Sequence, residues 1–160
     1  MEARIETLNE KKLIGKRIEM SFIENKTFQL WNNFMPKRKE IKNTINENLY
    51  SLEVFSPAHF DNFDPGRTFQ KWAAVEVKNY EDVPLNMETL IIPDGLYAVF
   101  VHYGPASEGH KTYHAIFAEW LPNSEYLVDD RPHFAVMGHK YKNDDPKSEE
   151  EIWIPIKNRN

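Results

Sequence analysis

The 160-residue chain is 41% hydrophobic and 28% charged, which suits one soluble globular domain (1–160) with a sizeable core and is too short for two domains with separate functions. A net charge of −5, with basic residues gathered only briefly in PKRKEIK (36–42), argues against a general phosphate-binding surface, so no direct nucleic-acid partner is expected. The lack of cysteine excludes disulfides, thiolate metal sites and a cysteine nucleophile; no run approaches the ~20 apolar residues of a membrane span, and the polar start MEARIETLNEKK is no signal peptide, so a cytoplasmic protein without a membrane partner is expected.

In chain order, KKLIGKRIEMSF (11–22) reads as a strand and KTFQLWNNFMPKRKEI (26–41) as a helix. NLYSLEVFS (48–56) and RTFQKWAAVEV (67–77) read as two more strands. KNYEDVPLNMETLIIPD follows, its Pro and Asn marking turns around a short apolar run. The same order then recurs: strand GLYAVFVHYG (95–104), helix HKTYHAIFAEWLP (110–122), strand PHFAVMGHKY (132–141) and strand EEEIWIPIK (149–157).

The helices carry the repetition best. Leu30, Trp31, Phe34, Met35 and Pro36 correspond at a constant offset of 86 to Ile116, Phe117, Trp120, Leu121 and Pro122. Each set is one apolar side of a 3.6-residue period closed by a proline that cannot continue the helix. Trp72 in QKWAAV and Trp153 in EIWIPI correspond at an offset of 81, so the loops differ in length. The pattern predicts an α+β fold made of a duplicated βαββ unit, with one repeat at about 4–80 and the other at about 88–157. A seam between two such halves is a natural place for a cleft, and an aromatic content of 13% leaves open whether the tryptophans fill that seam or line a pocket in it.

Residues 90–134, LIIPDGLYAVFVHYGPASEGHKTYHAIFAEWLPNSEYLVDDRPHF, followed by EEEIWIPIK, bear a more specific pattern. The runs IPDGLYAVF, HYGP, EWLP, DDRP and IWIPI, in this order and with KWAAVEVKNYEDVPLNME in the first half, resemble the GyrI-like family of bacterial effector-binding domains. Such domains occur in multidrug-responsive and AraC-type transcription regulators. The resemblance spans about residues 4–157 and implies a curved antiparallel sheet with two helices and a ligand cleft between the repeats. It also implies binding of bulky aromatic, often cationic and lipophilic molecules. Aromatic stacking and cation–π attraction would serve such ligands, with a carboxylate offsetting the desolvation of their charge.

The first repeat starts almost at Met1, which leaves no room for a helix-turn-helix and implies a stand-alone domain. Stand-alone relatives include drug-sequestering proteins, a kind associated with gyrase inhibition, and hydrolases of cyclopropane-containing genotoxins. A binding protein is therefore the first expectation, with a hydrolase of electrophilic small molecules and an inhibitory module for a protein partner as alternatives.

Strand parity sorts the candidate ligand-binding residues. Tyr97 shares a face with Val99, Val101 and Tyr103, while His102 lies opposite and reads as structural. Tyr113 opens a helical stripe that ends at Trp120. Trp153 points away from Ile152, Ile154 and Ile156 and shares its face with Glu151; Trp72 is its repeat counterpart. Glu53 sits with Ser51 and Phe55, Glu76 offers the same chemistry, and Glu149 and Glu150 read as the solvated start of a strand. In RPHFAVMGHKY, Phe134 lies on one face while Ala135 and Met137 share the other.

At Ala135 the family often carries the pocket glutamate, and an alanine, natural or introduced, cannot attract a cation or act as a general base. Glu53 or Glu151 would then supply the charge, or the pocket prefers neutral aromatics. His59, Asp61 and Asp64 in SPAHFDNFDPG read as a polar turn, for want of a second ligand cluster. No catalytic residue is assigned, and no metal and no cofactor are expected, haem included, for want of an axial histidine in the cleft.

Overall fold

β-Branched and aromatic residues at alternate positions build nine strands within residues 1–159, the part described by this computed structural model. These are β1 (Arg4–Leu8), β2 (Lys11–Met20), β3 (Leu49–Val54), β4 (Phe69–Val77), β5 (Glu88–Ile92), β6 (Gly95–Tyr103), β7 (Tyr126–Val128), β8 (His133–Met137) and β9 (Glu149–Asn158). The predicted strands and both helices are all present. The sequence pattern gives no strand at β1 or β7, and at β5 only a short apolar run.

Helix α1 (Thr27–Phe34) tightens into a 3-10 segment, Met35–Glu40, where Pro36 can donate no backbone hydrogen bond. Helix α2 (Gly109–His114) instead widens into a π-helical turn, Ala115–Trp120, closed by a 2.8 Å bond from the Leu121 N–H to the Ile116 carbonyl. That widening turns the side chains that follow Tyr113 relative to a regular helix.

Eight strands form one antiparallel sheet in the order β1-β6-β9-β8-β3-β4-β2-β5, and β7 pairs with β9. The duplication is visible in the pairing. Each repeat contributes a long hairpin-like set, β2-β4-β3 and β6-β9-β8, and the two sets meet where β3 pairs with β8. The short strand ahead of each repeat crosses to the other one: β1 pairs with β6, and β5 with β2. Both end in a buried apolar residue, Leu8 and Ile92.

The equivalence reaches single hydrogen bonds. Trp72 Nε1 donates to Gln70 Oε1 at 3.1 Å, and Trp153 Nε1 donates to Glu151 Oε1 at the same 3.1 Å.

One face of the sheet carries both helices. On the other, Leu8, Leu13, Tyr50, Trp72, Ile92, Tyr97 and Phe134 form a single buried cluster drawn from strands at both edges and in the centre. No helix covers that cluster, so the sheet must curl over it, and this curvature is the architecture anticipated for a duplicated βαββ unit.

Gly15 sits where β4 passes close against β2: a Cβ there would lie 2.0 Å from the Ala73 carbonyl oxygen and 2.7 Å from Ala74 Cα, both backbone atoms. Gly15→Ala should therefore cost about 2 kcal/mol as an overpacking change. Chemical denaturation would register this as a lowered midpoint with an unchanged slope.

Candidate ligand-binding site

Helix α1 lies over β2 and β4, burying Leu30 and Phe34 against Ile14, Ala73 and Val75. The π-helical turn buries Ile116 against Ala98, Phe100, Ile152, Ile154 and Ile156 of β6 and β9. Between these two footprints run the central strands β3 and β8, whose helix-side residues form the floor of a groove. Across that floor Ser51 pairs with Ala135, and Glu53 with His133.

Leu52 pairs with Trp72 as Phe134 pairs with Trp153, so the duplication superimposes Glu53 on Ala135. The groove thus keeps a carboxylate at one of two equivalent positions and an alanine at the other.

The Glu53 carboxylate accepts a short hydrogen bond from the Lys71 ammonium on β4, so its charge is compensated. His133 is neutral near pH 7 because burial, helped by the Arg131 charge, depresses it to about 4. His102 is buried, with Nε2 3.0 Å from the Pro105 carbonyl and Nδ1 2.7 Å from the Thr112 hydroxyl, and these bonds pin β6 to α2.

Glu150, facing His102 in the β6–β9 register, is half-buried and has no ion-pair partner among the described residues. Burial raises it above the usual carboxylate range, and the Glu53 charge adds to this against opposing effects of His102 and Lys71. Tyr113 reaches the same region: its phenol is pushed well above the ordinary range by burial and then by Glu53 and Glu150. Phe117 lies over the floor, its ring stacked on His133 at 6.3 Å. With Lys71 matched to Glu53, the groove retains one uncompensated negative charge beside two aromatic rings.

Pairing of β8 with β9 stops at Val136–Glu151 and resumes only where the Glu149 N–H donates to the Lys140 carbonyl at 2.9 Å. The strands splay around Gly138, opening a cavity of about 310 Å³ lined by Asn48, Val101, Val136, Gly138, His139, Lys140 and Glu149–Glu151. Val101, Val136, Glu149 and Glu151 share the parity of the curled face, so this cavity belongs mainly to that side, with Glu150 between it and the helix-side groove. Glu149 and Glu150 are therefore half-buried walls rather than a solvated strand start.

The candidate residues divide between the two faces of the sheet. Glu53, Tyr113, Ala135 and Met137 belong to the helix-side groove. Trp120 is on that side but farther out, edge-on to Phe100 at 5.1 Å and stacked on Tyr126 at 6.3 Å. Trp72, Tyr97, Phe134, Trp153 and Glu151 lie on the opposite, curled face. Phe134 stacks on Trp153 at 5.3 Å, and the Tyr97 hydroxyl donates to the Pro132 carbonyl at 2.8 Å.

Arg131 covers the Tyr97 ring at 4.8 Å while donating to Asp129, to the Leu96 carbonyl and to the Ile156 carbonyl, so DDRP acts as a clamp joining β6 and β9. Glu151 bonds Trp153 and pairs with Arg4 at 3.2 Å. Glu76 is buried, 3.3 Å from Lys11 and from the Tyr50 hydroxyl. Sequence parity separates these two sets correctly, but nothing in it says which set receives the helices.

A duplicated βαββ sheet with a charged, aromatic groove between its repeats defines a class of small-molecule effector-binding domains. The pattern of the GyrI-like small molecule binding domain matches residues 1–157, and the chain belongs to that family.

The fold is similar to that of a putative bacterial transcription regulation protein from Staphylococcus aureus MU50, at 16% identity and TM-score 0.69 over 98% of this chain and 99% of that one. It is similar to SAV2435 bound to tetraphenylphosphonium, at 15% identity and TM-score 0.70 over 98% and 94% of the two chains. It is also similar to a hydrolase encoded by lin2189 from Listeria innocua, at 12% identity and TM-score 0.57 over 97% and 91%. No curated protein matches the chain. Among the described residues no helix is long and apolar enough to cross a membrane, and no cluster of three or more His, Asp or Glu suits a metal ion.

Proposed function

We propose that the groove between the repeats binds bulky aromatic, cationic and lipophilic compounds non-covalently. One observation carries this reading: Glu150 is a half-buried carboxylate without an ion-pair partner among the described residues, beside Tyr113 and Glu53. Leaving a charge in such a place is unfavourable, and a bound cation would offset the cost. The rings of Phe117 and Tyr113 supply aromatic surface beside that carboxylate. The tetraphenylphosphonium complex of SAV2435 supplies a suitable probe.

Calorimetric titration with tetraphenylphosphonium, and with a rhodamine dye followed by anisotropy, should give saturable binding; no saturation with either would overturn the reading. Ala135→Glu, which restores an acid at the position equivalent to Glu53, should tighten tetraphenylphosphonium binding about tenfold, or about 1.4 kcal/mol. An unchanged affinity would remove Ala135 from the ligand's surroundings.

A second reading is small-molecule hydrolysis. It is favoured by the raised pKa of Glu150 next to Tyr113, an arrangement able to take a proton from water. Incubation with a cyclopropane-bearing alkylator followed by product analysis separates the two readings, since a pure binding protein leaves the alkylator intact.

A further inference from the structure

One ion pair of the groove has no counterpart in the other repeat. Lys71 on β4 and Glu53 on β3 are register partners, and their side chains, 13% and 14% exposed, are joined by a short charge-assisted hydrogen bond. With Trp72 and Trp153 as the fixed point of the duplication, the counterparts of Glu53 and Lys71 are Ala135 and Ile152, register partners in their turn. Both of these are buried. One copy of the unit therefore closes this position with an apolar pair, the other with a buried ammonium and carboxylate.

Packing does not require the ions. Burying a lysine and a glutamate strips both of hydration, and their attraction only about offsets that loss, so an apolar pair serves stability equally well. What the apolar pair cannot supply is a fixed positive charge. The Lys71 ammonium and the Glu53 carboxylate both act on Glu150, in opposite senses, so the three charges share one electrostatic neighbourhood. His133 beside them is neutral near pH 7, and Tyr113 keeps its proton. One ammonium against two carboxylates leaves the groove with a single negative charge.

We propose that Lys71 sets the charge of the ligand, as a specificity-determining residue that makes the groove admit monocations and reject dications. The inference rests on the groove being the cation site and specifies the ligand class it takes. A monocation beside Glu150 brings the groove to neutrality. A dication of the same shape leaves one positive charge in excess, partly desolvated and facing a fixed ammonium. Discrimination of this kind comes from a repulsive element set against the wrong ligand, not from a better contact with the right one. Without Lys71, two carboxylates would match two positive charges.

The test compares two ligands of nearly the same shape by calorimetric titration: the monocation triphenyl(4-methylphenyl)phosphonium and the dication triphenyl(1-methylpyridinium-4-yl)phosphonium. The wild type should bind the monocation about tenfold or more tightly than the dication. Because the dication is also the better hydrated, the variants decide. Lys71→Met should shift the ratio of the two affinities about tenfold or more towards the dication. Glu53→Gln leaves one ammonium against one carboxylate and should weaken the monocation about tenfold. The double variant Glu53→Gln/Lys71→Met has the wild-type charge again, so it should return both the ratio and the monocation affinity to within about threefold of the wild type. That last pair of variants carries the test even if Lys71→Met alone leaves Glu53 too exposed a charge for the protein to fold.

A ratio that stays put in Lys71→Met, or a monocation loss in Glu53→Gln that the added Lys71→Met does not reverse, makes the ion pair structural and overturns the inference. If the monocation does not bind the wild type, the groove reading fails and the inference falls with it. If it binds and the ratio ignores the charge of residues 53 and 71, the inference alone falls.

Discussion

Lowering the pH from 6.5 to 4 should destabilise the fold by about 3 kcal/mol through His133 alone, and a His133→Phe variant should lose that part of the acid response. The ordinary imidazole value of 6.5 applies to the unfolded chain, while the folded value is about 4, so between these limits the unfolded chain binds more protons. Stability therefore rises with pH across the window and falls as pH drops through it. Burial is the main cause and the Arg131 charge the second. The ring lies between Phe55, edge-on at 5.1 Å, and Phe117, stacked at 6.3 Å, so a phenyl ring in the same slot retains the packing. Urea denaturation at pH 4 and pH 7 would measure the difference. A wild-type and variant acid slope of the same size would mean that the ring is hydrated in the folded protein. His59 is also depressed, by burial first and by Arg67 second, so some acid sensitivity should remain in the variant.

Much of this architecture is legible in the sequence because a strand's parity and a helix's period are local. The repeat at an offset of 86 located both helices, and the isoleucines of β9 declared their face. Parity also kept Trp153 and Glu151 apart from Ile152 correctly. What a one-dimensional pattern cannot hold is the crossing of β1 to β6 and of β5 to β2, since these strands are short and pair far away in the chain.

The same limit applies to the site. Tyr113 and Ala135 on one side, and Tyr97 and Trp153 on the other, all carry suitable chemistry, and only the packing of the helices decides which set shares a groove with Glu53. Glu150 lies between two other glutamates at a strand start, a solvated pattern by composition, yet the splay of β8 from β9 half-buries it. His59 had no periodic signal, because its burial is made by a loop and by phenylalanines from distant segments. Pseudo-symmetry does rationalise one departure from the family pattern: with Glu53 at the counterpart of Ala135, the acid at this layer of the groove stands in the other repeat.

Glu150→Gln should weaken tetraphenylphosphonium binding 10- to 100-fold, about 1.4–2.7 kcal/mol, and should at the same time stabilise the free protein at neutral pH. Both effects have one origin. The folded carboxylate titrates above its unfolded value because of burial, so between the two values the folded protein binds more protons, and stability falls as pH rises through that window. A glutamine never ionises and escapes that loss, so its thermal midpoint at pH 7 should exceed that of the wild type. For the ligand the sign reverses: a cation favours the ionised carboxylate, so wild-type affinity should climb as pH rises through the raised value and then level off, whereas the variant should show a flat profile in that range. Glu53→Gln is the control with a different expectation, since it releases the Lys71 ammonium into the groove and should weaken cation binding by repulsion without flattening the profile. A glutamine at 150 that changes stability but leaves affinity untouched would move the cation away from this carboxylate, and the groove's one uncompensated charge would then have to be explained by the fold alone.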